Sequence, residues 1–137
     1  MAVTESSAVD ALLHEARSWL ERVNVVDLGA EIDAESLVVD IRPVEQRLRD
    51  GELAGAIIID RNVLEWRLDP GCPDRIPQST GPTRRVIVVC NEGYSSSLAA
   101  ATLQRLGLNR ATDLEGGFQA VLAHRPDLVR PPESGLP

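Results

Sequence analysis

Three short apolar runs, Glu35 to Ile41, Ala56 to Ile59 and Val86 to Cys90, constrain the fold of this chain more than anything else in it. Each is too short for a helix, rich in β-branched residues and without polar alternation. That is the pattern of strands buried on both faces. The stretches between them carry helix signals. Pro43 suits a first helical turn, Val44 and Leu48 form an i, i+4 pair, and Gly51 stops the helix. Asn62 to Leu68 reads as a short helix closed by Asp69-Pro70-Gly71. After Cys90, a helix from about Ser95 to Leu106 can turn Leu98, Thr102, Leu103 and Leu106 toward a sheet before Gly107 ends it. A short strand, Ala111 to Leu114, leads through Gly116-Gly117 into a last helix holding Phe118, Val121 and Leu122. Strands alternating with helices imply parallel pairing with helices on both faces, an α/β fold.

The ends of the chain are read differently. Ser7 to Val23 places Leu12, Ala16, Trp19, Leu20 and Val23 on one helical face, with Ser6 or Ser7 as cap. Residues 1–34 are therefore expected to form an N-terminal helix and a lead-in strand, and residues 35–125 the α/β core. Residues 126–137, with four prolines in twelve residues, are expected to be a flexible tail. Pro70 to Pro82 holds four prolines and two glycines and reads as a long irregular loop. One structural domain is expected.

The chain carries 14 basic and 21 acidic residues, a net charge of −7, with arginines spread from Arg17 to Arg130. This balance argues against nucleic acid and anionic membrane as partners. Every basic residue is Arg, which reads as GC-rich codon usage rather than a demand for guanidinium. No apolar run reaches the roughly 20 residues that span a bilayer. The opening MAVTESSAVD lacks the pattern of a secretory signal, so a cytoplasmic location is expected. Cys72 and Cys90 are the two thiols. A disulfide between them is not expected in a reducing compartment, and they are too few for zinc without other ligands. His14 and His124 lie at opposite ends and read as surface residues. No metal is expected.

Cys90 ends a strand, where ligands of parallel sheets bind. It opens the segment Cys90-Asn91-Glu92-Gly93-Tyr94-Ser95-Ser96-Ser97, set between a strand and a helix. Gly93 allows a backbone conformation that turns successive N–H groups inward. The serines start the helix, where free donors and the positive dipole end converge on a site suited to anions. A thiol in such a nest has its ionised form stabilised, and the thiolate is the nucleophile. On these residues alone, a core thiol followed by plain capping serines stands beside the functional reading.

Cys90, Gly93, Ser95 and Ser96 match the active-loop spacing of the rhodanese family, which they resemble. Val39-Asp40-Ile41-Arg42 resembles that family's Asp-x-Arg strand end, followed by a helix with Glu45. Gly51-Glu52-Leu53-Ala54-Gly55-Ala56 is similar to its Gly-His-Ile-x-Gly-Ala segment. Leu114-Glu115-Gly116-Gly117-Phe118 resembles its closing Gly-Gly turn. These blocks occur in order and cover residues 35 to 123. The resemblance implies a rhodanese-like domain with a central parallel sheet of about five strands and helices on both faces. It also implies a thiosulfate sulfurtransferase (rhodanese-type) that needs no cofactor, with Cys90 as the catalytic nucleophile that becomes a persulfide. The donor would be a small sulfur-containing anion such as thiosulfate, and the acceptor a thiol or cyanide. Asn91, Glu92, Gly93, Tyr94, Ser95 and Ser96 would bind the substrate.

Three departures bear on this. Ser95 stands where many members have an arginine, so a cation near the substrate is lost. Glu92 adds a negative charge to the loop, and Glu52 replaces a common histidine. Arg61 or Arg67 could supply a cation, although a solvated helix face is the favoured reading. Cys72 could resolve a persulfide, a reading held well behind that of a bystander. Asp40 and Arg42 read as structural polar contacts, Tyr94 as shaping the pocket mouth, and Trp19 and Trp66 as core or edge packing. The alternative function is a catalytically silent rhodanese-like module that binds a partner. A phosphatase on the related fold needs an arginine about six residues after the cysteine; Ser96 stands there, and the next arginine is Arg105.

Overall fold

The computed structural model describes residues 7–133. Helix α1 (Ala8–Ser18) and helix α2 (Val25–Asp33) precede strand β1 (Leu37–Asp40). Helix α3 (Val44–Asp50), strands β2 (Glu52–Leu53) and β3 (Ala56–Ile58), and helix α4 (Leu64–Leu68) follow. Strand β4 (Val86–Val89), helix α5 (Ser95–Arg105), strand β5 (Ala111–Asp113), helix α6 (Gly117–His124) and strand β6 (Val129–Arg130) complete the order. The main sheet runs β3-β1-β4-β5 with every pair parallel. It has four strands rather than about five; a single parallel bridge, Val23 to Leu114, extends the β5 edge.

Burial on both faces is explicit in the side chains. Val86, Val88 and Cys90 of the central strand, with Leu37 and Val39 of its neighbour, pack with Leu64, Leu68, Ala99 and Leu103 on one side. Val38, Ile87 and Val89 pack with Leu28, Phe118 and Val121 on the other. Successive side chains along a strand point to opposite faces, so an unbroken apolar run serves both layers at once. Helices α4 and α5 therefore cover one face, and α2 and α6 the other.

Three expectations fail near the termini. The lead-in strand shrinks to the Val23 bridge, and residues 25–33 form α2. The Asn24 side chain caps that helix by accepting from the Val26 N–H at 3.0 Å, and Val25 and Leu28 are buried. Of core or edge packing, only the edge remains: Trp19 is 66% exposed and lines a groove between α1 and α5, and Trp66 is 58% exposed. Helix α1, capped by Ser7 as anticipated, ends at Ser18 and rests on the outside of α5, so Ala16 alone in it is buried. An outer helix has one partner instead of a sheet, and its larger apolar residues stay at the rim. At the other end, Pro126–Leu128 forms a 3-10 turn and β6 pairs antiparallel with β2, so the tail is structured through residue 130. Residues 69–85 form the expected irregular loop, anchored by buried Ile76, whose N–H donates to the Arg67 carbonyl at 2.8 Å.

Candidate active site

Parallel alignment puts the ends of β1, β4 and β5 side by side, with Cys90 immediately after the central one. Cys90 is 5% exposed. Its sulfur accepts from the Gly93 N–H at 3.1 Å and the Ser96 N–H at 3.4 Å. Gly93 makes this turn at φ +86°, and a Cβ there would come within 2.7 Å of the Gly116 nitrogen. The backbone thus folds back on the thiol and delivers the start of α5 to it. Among the described residues, the N–H groups of Glu92, Tyr94 and Ser95 have no protein acceptor. Two N–H groups of the loop thus reach the sulfur and three more lack a protein partner, a cradle of donors of the kind that receives anions.

The Gly116-Gly117 turn fixes the cradle from outside. Phe118 N–H donates to the Cys90 carbonyl at 2.8 Å and Gln119 N–H to the Asn91 carbonyl at 3.0 Å. The Gln119 side chain also donates to Asn91 Oδ1 at 2.9 Å. A Cβ on Gly117 would lie 2.5 Å from the Cys90 carbonyl oxygen, so the approach depends on glycine.

Two residue roles differ from simple substrate contact. The Ser96 hydroxyl is fully buried and donates to Asp113 Oδ2 at 2.7 Å, leaving its N–H as the group that faces the thiol. Asn91 turns its side chain to Gln119. Glu92, Tyr94 and Ser95 are exposed. Asp40 and Arg42 form the expected structural contact, a buried pair at 2.7 Å; Arg42 also reaches the Gly51 carbonyl and lies 3.6 Å from the Phe118 ring centroid. Arg61 pairs with Glu65, which offsets its charge, and Arg67 donates to the Asp74 carbonyl in the loop before β4; neither has a hydrogen bond to residues 90–96. Cys72 and Cys90 are both free thiols, with Cys72 in the loop before β4 and Cys90 just past its end. An apolar groove of about 490 Å³ between α1 and α5, lined by Leu12, Trp19 and Leu98 among others, includes none of residues 90–96. Chemistry, not cavity size, marks the site.

Sequence reasoning missed Asp113, Arg17 and Arg22. Asp113 Oδ2 accepts from the Ser96 and Ser97 hydroxyls, and Arg22 Nε donates to Oδ1 at 2.9 Å. Arg17 and Arg22 each donate to the Gly93 carbonyl at 2.8 Å. An acid ending a strand beside the Cys90 strand was a usable signal for Asp113. For the arginines, more than seventy residues upstream of Gly93, the sequence held none.

These features define a class: an α/β domain that presents a buried thiol in a donor loop between a central strand and a helix. The chain belongs to the rhodanese-like domain family, whose model matches residues 24–124. It is similar to a solved Rhodopseudomonas palustris protein of unknown function, described as a "Possible Tyrosine Phosphatase". That likeness has 32% identity and a TM-score of 0.77, over 90% of this chain and 95% of that one. A rhodanese-related protein from Thermoplasma volcanium is 27% identical with a TM-score of 0.59, over 76% of this chain and 92% of that one. The human single-domain sulfurtransferase TSTD1 shares the fold at 17% identity and a TM-score of 0.63, over 76% of this chain and 96% of that one. No curated protein sequence gives a significant match. No helix among the described residues is long and apolar enough to cross a membrane.

Proposed function

We propose that this domain is a sulfurtransferase that carries a sulfane sulfur on Cys90. The observation that carries the reading is the convergence of the Gly93 and Ser96 N–H groups on the Cys90 sulfur. In the first step, Cys90 thiolate attacks the outer sulfur of thiosulfate. The new S–S bond forms as the S–S bond of the donor breaks, and sulfite leaves with the electron pair. A persulfide donor reacts in the same sense and releases its thiolate. In the second step, a thiolate or cyanide attacks the outer sulfur of the persulfide and restores Cys90 thiolate. The negative charge of the persulfide rests on the outer sulfur, where the free N–H groups of Glu92, Tyr94 and Ser95 are available as donors. The loop residues Asn91 to Ser96 are the proposed substrate-binding set, acting through their backbone. Action in the cytoplasm belongs to the same proposal.

The description of the Rhodopseudomonas protein brings a phosphatase into view. A phosphoryl group with three charged oxygens calls for a fork of guanidinium donors in the loop. Residues 91–97 contain no arginine. The guanidiniums that bond the loop, those of Arg17 and Arg22, do so at the Gly93 carbonyl. A single nucleophilic sulfur and neutral donors suit sulfur transfer better. A silent binding module is opposed by the intact, hydrogen-bonded thiol.

Thiocyanate production from cyanide tests the proposal, with thiosulfate and a small persulfide as alternative donors. The expected result is turnover with at least one donor and none in Cys90→Ser. No turnover with either donor would overturn the enzymatic reading.

A further inference from the structure

The loop lacks an internal cation, yet two guanidiniums meet at one of its carbonyls. The Gly93 carbonyl accepts from Arg17 and Arg22 at 2.8 Å each. The same peptide unit ends in the Tyr94 N–H, which has no protein acceptor among the described residues. The peptide is trans, so that N–H points opposite to the carbonyl and away from both arginines. In sequence it lies between the two N–H donors that reach the Cys90 sulfur. Cations on a carbonyl oxygen draw electron density along the peptide and make its N–H a stronger donor.

The two arginines are not equivalent. Arg22 is paired with fully buried Asp113 and lies 4.0 Å from the exposed Glu115 carboxylate, which offset its charge. Arg17 has no carboxylate partner among the described residues; its other contacts are the Ser97 hydroxyl at 3.1 Å and the Tyr94 ring, 5.5 Å from the guanidinium carbon to the centroid. Arg17 therefore contributes a net positive charge directly behind the cradle.

We propose that Arg17 and Arg22 are positioning residues that supply the site's cation from outside the loop, through the Gly93–Tyr94 peptide, with Arg17 providing the charge and Arg22 the geometry. The consequence for substrate, which rests on the reading of Cys90 as sulfur carrier, is a preference for anionic sulfur donors despite Ser95 and Glu92. Helix α1 is then a working part of the site rather than an appendage to the core.

The test uses the full chain in a Cys72→Ser background, so that Cys90 is the sole thiol. Alkylation rates with anionic iodoacetate and neutral iodoacetamide are compared at one pH and one ionic strength. Arg17→Gln should lower the iodoacetate-to-iodoacetamide rate ratio about fivefold at low salt, and Arg17→Lys should restore most of it. The difference should shrink as salt rises. An unchanged ratio in Arg17→Gln would overturn the proposal, as would equal loss of both rates with no rescue by lysine, which is the signature of a purely structural residue. Neither readout involves sulfur transfer, so failure here is separable from failure of the sulfurtransferase reading.

Discussion

Two arginine–aspartate pairs flank the strand that carries Cys90, and they differ in nearly every respect except chemistry. Arg42 and Asp40 sit at the end of β1, two residues apart, with side chains 0% and 1% exposed. They bind each other, the Gly51 carbonyl and the Phe118 ring, and their hydrogen bonds do not reach the loop. Arg22 and Asp113, at the end of β5, are 91 residues apart. Their carboxylate collects the Ser96 and Ser97 hydroxyls at the start of α5, and their guanidinium holds the Gly93 carbonyl. The first pair closes the end of a strand. The second shapes the cradle. Burial alone does not mark a functional ion pair; what its leftover donors and acceptors touch does.

Breaking the second pair should have the largest effect. Asp113→Ala removes the carboxylate that pairs Arg22 and accepts from the buried Ser96 and Ser97 hydroxyls, a loss at the upper end of about 3–5 kcal/mol. Urea unfolding would measure it. Sulfur loading of the folded fraction should fall with it, because Ser96 no longer holds its N–H on the thiol.

Breaking the first pair separates the two roles. Arg42→Met leaves Asp40 buried and unpaired, at the lower end of about 3–5 kcal/mol because the new side chain can still cover Phe118. Loading of the folded protein should stay within about twofold of wild type, since the networks share no hydrogen-bond partner. Equal loss of loading in both variants would erase the distinction drawn above.

How much of this was legible follows the same division. The β1 pair was readable because its residues are neighbours in an Asp-x-Arg strand end. Cys90, Gly93 and the start of α5 were readable because a tight turn writes its geometry into consecutive residues. Arg17, Arg22 and Asp113 converge only after the sheet forms, and no local spacing encodes that. Helix α2 was missed because a short capped helix before a strand has no long periodic signal. Trp19 was misplaced for a related reason. Periodicity shows that a helix has an apolar face, but not whether that face meets a sheet or only the rim of another helix.

Gly117→Ala should have an intermediate effect. At φ +62° with a clash on the Cys90 carbonyl, it should destabilise by about 2 kcal/mol. Thermal unfolding would record that loss, and a parallel drop in thiol alkylation rate would show the turn and the loop to be one unit.

The smallest effect belongs to a third pair. Arg85 donates two hydrogen bonds to Glu31 at 2.9 Å, both partners partly exposed. The Arg85 hydrogen bond holds the Glu31 carboxyl below its ordinary value of 4.5, against a smaller opposing contribution from burial. A depressed carboxyl stabilises the fold above its ordinary value and loses that contribution as pH falls through the folded-state value. Glu31→Gln should therefore cost at most about 1 kcal/mol at neutral pH after solvent screening. The gap between variant and wild type should close on acidification below the carboxylate range, as urea midpoints across pH would show.

The proposed function stands or falls on a transferable sulfur at Cys90. Intact mass after incubation with thiosulfate, or with a small persulfide donor, addresses it most directly. The expected result is a gain of one sulfur atom on the wild-type chain, removed by cyanide and absent from Cys90→Ala. An unchanged mass with both donors, or the same gain in Cys90→Ala, would contradict it.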